Sequence, residues 1–263
     1  MIIDISLSAG NCDWTTVRSA AQEAERRGYG AVHVLDHLAG LPIGGATTLE
    51  AFALLGALAE ATTTIELGTM VANAFNRQPG TLVSAAASVG VISGRRFHLG
   101  VGAGAAPGSS WAREQEILGH DLVDDLSARH ARVERVLELA SDEWSDDRGD
   151  DFSTFPLPRP RPLTIVGVNS VALARVAGRL ADGINVQWSK SNRDDQLDAA
   201  DAEVARRAGD RPFLRTAYET FVLELLDPAH PSRVEMRERG IDRLVLAVFD
   251  DLSSWLADDR QPL

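Results

Sequence analysis

Asp36 and His37 stand side by side directly after a short apolar run, Ala31–Leu35. A carboxylate in that place accepts hydrogen bonds from an N–H or hydroxyl of a ligand, and an imidazole moves a proton near neutral pH. A second group is rich in glycine: Gly100-x-Gly102-x-Gly104 closes the apolar run Phe97–Val101. It lacks the third glycine of the G-x-G-x-x-G form and no helix starts at once, so it is not a dinucleotide fingerprint. These glycines instead let the backbone turn at a strand end and let a flat ring approach closely. The third group, Gly167-Val168-Asn169-Ser170, joins another apolar run to a helical pattern. Backbone N–H groups at such a helix start form an anion site suited to phosphate, and Asn169 or Ser170 can equally cap the helix; the two roles are compatible.

The surrounding elements must bring these groups together. Short apolar runs alternate with helical patterns almost throughout, the mark of parallel βαβ architecture. Strands are expected at Ile2–Leu7, Ala31–Leu35, Ile65–Val71, Phe97–Val101, Leu163–Val166, Gly183–Val186, Leu214–Leu223 and Arg243–Val248. Helices are expected at Trp14–Arg27, with Asp13 as N-cap and Gly28 as stop, at Thr48–Ala61, from Pro79 to Ser93-Gly94, and at Val171–Ala181. Eight strands with intervening helices predict a (β/α)8 TIM barrel, one domain over residues 1–263, with all three polar groups at its C-terminal mouth. Two regions break the rhythm. Ser141–Pro162 holds an acidic run from Asp142 to Asp151 and then FPLPRPRP, which reads as a solvated, mobile excursion. Leu225–Gly240 is compressed, so the barrel is shortened in its C-terminal third.

Three stretches carry a resemblance to a known family. GYGAVHVLDHL (Gly28–Leu38), the run from Ile65 to Gly104 with G-T-x-V, R-x-P and S-G-R-R-F-x-L-G-V-G-x-G, and IVGVNSVALARVAGRLADGINV (Ile165–Val186) are similar to the luciferase-like monooxygenase superfamily, in its branch of oxidoreductases dependent on coenzyme F420. GIDRLVLAV (Gly240–Val248) looks like that family's last strand. The resemblance implies hydride transfer between F420 and a small organic substrate, with His37 catalytic and Asp36, Met70, Val71, Asn73, Ala103, Gly104, Gly167, Val168, Asn169 and Ser170 around the cofactor. At Met70-Val71 it implies either a cis peptide or an ordinary strand end. It implies substrate contact at Gln187 and Lys190, though Lys190 equally suits a flexible surface lysine. Sugar-phosphate-oxidising relatives carry a Glu after the glycine strand end and a Trp after the Asp-His pair. This chain has Ala105 and, approximately, Leu41 there, so the acid partner is missing and that particular activity is in doubt. FMN-dependent monooxygenation, with a separate reductase supplying reduced flavin, and a non-catalytic flavin-binding relative are the alternatives. The family also implies a homodimer.

Bulk properties exclude other classes. A net charge of -12 argues against nucleic-acid or anionic-membrane surfaces, which need clustered Lys and Arg. Cys12, the single cysteine, excludes an internal disulfide and any multi-thiolate metal site, and no metal is expected. Neither a membrane span nor a signal pattern is present, so a cytoplasmic protein is expected.

Overall fold

The computed structural model describes residues 1–259 except 11, 209, 210 and 250. Eight parallel strands close into a barrel in sequence order: β1 (Ile2–Leu7), β2 (Ala31–Val34), β3 (Glu66–Asn73), β4 (Phe97–Gly102), β5 (Leu163–Val168), β6 (Gly183–Gln187), β7 (Leu214–Thr220) and β8 (Arg243–Val248). The helices are α1 (Trp14–Arg27), α2 (Ala51–Ala61), α3 (Pro79–Ser93), α4 (Arg113–Ile117), α5 (Leu126–Glu143), α6 (Val171–Leu180), α7 (Arg193–Val204), α8 (Pro231–Glu238) and α9 (Leu252–Ala257). This is the expected TIM barrel.

Alternation along β1 shows how the barrel sorts its residues. Ile3, Ile5 and Leu7 join the apolar core that also contains Val17, Ala20, Ala21 and Ala24 of α1. Asp4 and Ser6 between them, and Ser8 just after, are buried as well. Apolar groups thus meet the helices while polar groups fill part of the barrel's interior, as the period of two in a strand requires. Each fully buried leucine on the helix side, such as Leu55 and Leu58 of α2, contributes about 1.5–3 kcal/mol.

Local signals set most boundaries. The Asp13 carboxylate accepts from the Thr16 N–H at 2.8 Å, and Gly28 ends α1 in the left-handed region at φ 86°. Helix α2 starts at Ala51, not Thr48, because the Glu50 carboxylate caps it by accepting from Ala53 N–H at 2.7 Å. Strand β7 stops at Thr220, before a 3-10 turn at Leu223–Leu226. The excursion over residues 141–162 is anchored, contrary to the mobile segment expected. Helix α5 runs into it as far as Glu143, Trp144 is buried, and Arg148 donates to the carbonyls of Glu143, Pro156 and Ser153. Among the described residues no helix is long and apolar enough to cross a membrane.

Candidate active site

The ends of β2, β3, β4 and β5 surround a cavity of ≈ 370 Å³, within the range of small-molecule sites. His37, Val71, Ala103, Gly104, Trp111 and Glu114 are among its walls.

His37 follows β2 and is a fifth exposed. Its Nδ1 lies 2.9 Å from Oε1 of Glu114, on α4. Oε2 of the same carboxylate accepts from the N–H groups of Leu38 and Ala39, each at 2.8 Å. Burial alone would raise the Glu114 pKa, but His37 and the two N–H groups outweigh it and hold the carboxyl below its ordinary range. An ionised carboxylate only accepts, so Nδ1 carries the proton that faces it and Nε2 is the nitrogen left for a ligand. The half-exposed Trp111 ring lies 5.8 Å from the imidazole at an interplanar angle of 34°. Sequence reasoning missed both Trp111 and Glu114. It expected an acid at the strand end itself, where Ala105 stands. A carboxylate reaches His37 instead from a short helix nine residues later, packed at the β2 end.

Asp36 lines the cavity too, with its carboxylate engaged by neighbouring groups. Its side chain is fully buried, and Arg77 grips it in two-pronged fashion at 2.8 and 2.9 Å. The Asn73 N–H adds a third hydrogen bond at 2.9 Å. Arg77 also pairs with Glu50 and stacks over Phe52, its guanidinium 4.8 Å from the ring centre. With these three hydrogen bonds, the Asp36 carboxylate ties the ends of β2 and β3 together. The same joint extends to α4, since Asn76 Nδ2 donates to the Asp36 carbonyl and Gln115 Nε2 donates to Asn76 Oδ1, each at 2.9 Å. Glu114 is thereby held at a fixed height above His37.

Glycines Gly102, Gly104 and Gly167 line the cavity, and each also accommodates a neighbouring side chain. The Met70–Val71 peptide is cis, and the pairing of β3 with β4 shifts between Thr69 and Ala72. A Cβ on Gly102 would stand 2.7 Å from one Val71 methyl, and a Cβ on Gly167 would stand 2.6 Å from the other. These two glycines make room for the Val71 methyls, and all three residues line the cavity. Gly104 adopts φ +68°, and a Cβ there would collide with Asn73 Oδ1 at 2.6 Å. That oxygen accepts from the Phe75 N–H at 2.9 Å. From α5, Arg129 donates to the carbonyls of Ala103 and Gly104 and fixes this strand end.

At the start of α6, Gly167, Val168 and Asn169 line the cavity, and Ser170 is the N-cap, accepting from Leu173 N–H at 3.2 Å. The start of α6 therefore borders the same cavity as His37. Met70 lies on the wall as well. Gln187 and Lys190 do not: Gln187 ends β6 and Lys190 lies just past it, both exposed and outside the residues that enclose the cavity.

The sequence model of the luciferase-like monooxygenase family matches residues 3–223. An F420-dependent glucose-6-phosphate dehydrogenase of Segniliparus rotundus is 29% identical over 170 residues, covering 61% of this chain and 49% of that protein. An F420-dependent hydroxymycolic acid dehydrogenase of Mycobacterium tuberculosis is 28% identical over 202 residues, 73% of this chain and 54% of that one. The chain thus spans about half the length of the curated relatives it matches. Among solved structures, an F420-dependent secondary alcohol dehydrogenase in complex with an F420–acetone adduct superposes with a TM-score of 0.77 at 16% identity, covering 100% of this chain and 98% of that one. The apo form of MsnO8 gives 0.71 at 15% identity, with coverage of 98% and 96%. These likenesses show a shared barrel of similar size.

Proposed function

The chain belongs to the luciferase-like monooxygenase family, and from that premise we propose that it is an oxidoreductase that uses coenzyme F420 to exchange hydride with a small organic substrate. The observation that carries this reading is the His37–Glu114 pair on the wall of the cavity, 2.9 Å apart. Several curated relatives are named as F420-dependent, which favours the deazaflavin over FMN. The cavity suits such a group: Val71 offers an apolar face for a flat ring, and the α6 start offers N–H groups for a phosphate.

When bound, the cofactor supplies the hydride chemistry. The chain's own contribution is a held proton. His37 Nε2 accepts a proton from a substrate hydroxyl, or returns one to a carbonyl oxygen in the reverse direction. Glu114 stabilises the imidazolium so formed and keeps the ring from turning. Trp111 covers one side of the imidazole and restricts water around it. A carboxylate held beside His37 favours an enzyme over a binding-only protein.

The test is fluorescence titration of the purified protein with F420 and with FMN. F420 is expected to bind more tightly, and equal or tighter FMN binding overturns the assignment in favour of a flavin monooxygenase served by a separate reductase. His37→Ala should retain F420 affinity while single-turnover hydride transfer falls by about 10²–10⁴. Equal rates would remove His37 from the mechanism. The same proposal includes a twofold dimer through α2 and α3, where Val91 and Ile92 stand half-exposed. A monomer mass by light scattering at micromolar concentration would contradict it.

A further inference from the structure

A second group of histidines and carboxylates lies inside the barrel near its N-terminal end, away from the cavity. Asp4 on β1, His33 on β2 and His98 on β4 are 1%, 1% and 0% exposed. Although β3 separates their strands, the two imidazole rings approach to 5.5 Å between centres. Gly68 makes this approach possible. It pairs in register with His33 on one side and His98 on the other, and a Cβ there would lie 2.8 Å from His33 Nδ1 and 2.8 Å from His98 Cβ.

The ring nitrogens have near neighbours, His98 Nε2 at 3.2 Å from Glu66 Oε2 and His33 Nε2 at 3.5 Å from Asp4 Oδ2, but in poor hydrogen-bond geometry. None of the four ring nitrogens of His33 and His98 makes a hydrogen bond among the described residues. Buried polar atoms without partners are rare and costly, at about 1–3 kcal/mol each. His33 Nε2 stands 3.5 Å from Asp4 Oδ2, too far for a good hydrogen bond. That spacing is close to the roughly 3.3 Å edge of a tetrahedron built on metal bonds of about 2.0–2.1 Å. One donor atom from each of Asp4, His33 and His98 lies within 4.8 Å of the others, a span that small side-chain rotations close.

Charge points the same way. Arg243 on β8 holds Asp4 through two hydrogen bonds of 2.7 Å and lies 2.9 Å from Glu66 Oε2. Two carboxylates face this one guanidinium, so the side chains of Asp4, Glu66 and Arg243 together carry a formal net charge of one negative. A divalent ion carrying one hydroxide would neutralise it, and bound metals lower the pKa of their water enough to make hydroxide available. Arg243 then serves as the outer partner that orients a ligating carboxylate. Glu66, with its side chain 26% exposed and Oε2 3.2 Å from His98 Nε2, lies on the solvent side and offers both a fourth ligand and a way in.

We propose that Asp4, His33 and His98 form a structural binding site for a divalent transition-metal ion of the zinc class, with Glu66 at its open side. Two imidazoles and carboxylate oxygen suit that class, whereas magnesium and calcium prefer all-oxygen sites. The site is separate from the cavity at the other end of the barrel and does not depend on the assignment of F420.

The probe is Zn(II) alone, with Co(II) as its coloured substitute, added to the full chain after treatment with a chelator. One equivalent of zinc per chain is expected to survive gel filtration, and the melting temperature should rise with zinc concentration. The Co(II) form should show the visible absorption of a four-coordinate nitrogen and oxygen site. His33→Gln and His98→Gln should each weaken binding by at least the roughly 10–100-fold that loss of an outer-shell partner costs. His37→Gln, at the other end, should leave zinc binding unchanged. A wild-type chain that retains no zinc and shows no melting shift overturns the proposal, whether or not the variants fold. Binding that survives both substitutions, or that disappears with His37, overturns it too.

Discussion

The barrel carries one histidine–carboxylate group at each end, and the two are built differently. At the mouth, His37 is a fifth exposed and receives its carboxylate from α4, a five-residue helix beyond the strand ends. At the base, His33 and His98 are sealed, and every partner sits on a barrel strand: Asp4 on β1, Glu66 on β3 and Arg243 on β8. The residue types are nearly the same. Access separates them, because only the mouth leaves an imidazole nitrogen where a substrate can reach it. The source of rigidity differs as well. Strand register fixes the base, while hydrogen bonds from Gln115 to Asn76 and from Asn76 to the Asp36 carbonyl fix the mouth.

If the base is a charge cluster locked by strands, breaking it should cost the most. Arg243→Ala leaves Asp4 and Glu66 without their cation, and loss of one partner from a buried pair costs about 3–5 kcal/mol. Urea denaturation should show that loss, and a change below about 1 kcal/mol would mean that Arg243 is not the cation holding the base together. At the mouth the corresponding step is smaller. Glu114→Gln removes the charge from three hydrogen bonds, to His37, Leu38 and Ala39, and should cost about 1.5–3 kcal/mol. It should also lower turnover. A fully stable variant with full turnover would show that the loop after β2 is held by something else.

The same contrast governs what the sequence made legible. The barrel, the caps of α1 and the start of α3 at Pro79 are local properties: periodicity, an Asp before a helix, a Gly after it, a Pro at a first turn. They can be read from neighbouring residues. Glu114 could not, because its pairing with His37 joins residues 77 apart through a short polar helix with no apolar period. A signal was present, though, since α4 buries Glu114 and Gln115 while Ile117 and Leu118 just beyond are exposed, an inversion of ordinary patterning. Asp36 was correctly placed at the mouth, but its neighbour Arg77, 41 residues on, determines what its carboxylate does. The base was invisible for a further reason. His33, Glu66 and His98 sit in runs otherwise suited to apolar strands, and only closure of the barrel brings them together.

Acidification should separate the mouth from a simple surface salt bridge. The folded pKa of Glu114 is lowered: burial pushes it up, but His37 and the N–H groups of Ala39 and Leu38 more than offset that. A lowered folded pKa stabilises the fold above the unfolded carboxyl range near about 4.3, and the benefit is lost as pH falls through the folded value. Wild type and Glu114→Gln should therefore differ most near neutrality and converge as pH drops below about 4. Parallel stability curves across that range would show that the charge of Glu114 does not stabilise the mouth.

The smallest effect is expected just outside the mouth, at Lys190. Its likeness to a substrate-facing position gave it a role, yet it lies exposed beyond β6 and does not border the cavity, and neither does Gln187. An exposed residue away from caps, cores and buried charges rarely changes stability by more than about 0.5 kcal/mol. Lys190→Ala should accordingly leave the urea midpoint and the F420 dissociation constant within error of wild type, and a Gln187→Ala, Lys190→Ala double variant should do the same. If either variant weakens F420 binding or raises KM for a substrate several-fold, the functional surface extends past the β6 end. The mouth would then comprise more than the four strand ends that enclose the cavity, and its loops would have to close over a ligand to bring Lys190 within reach.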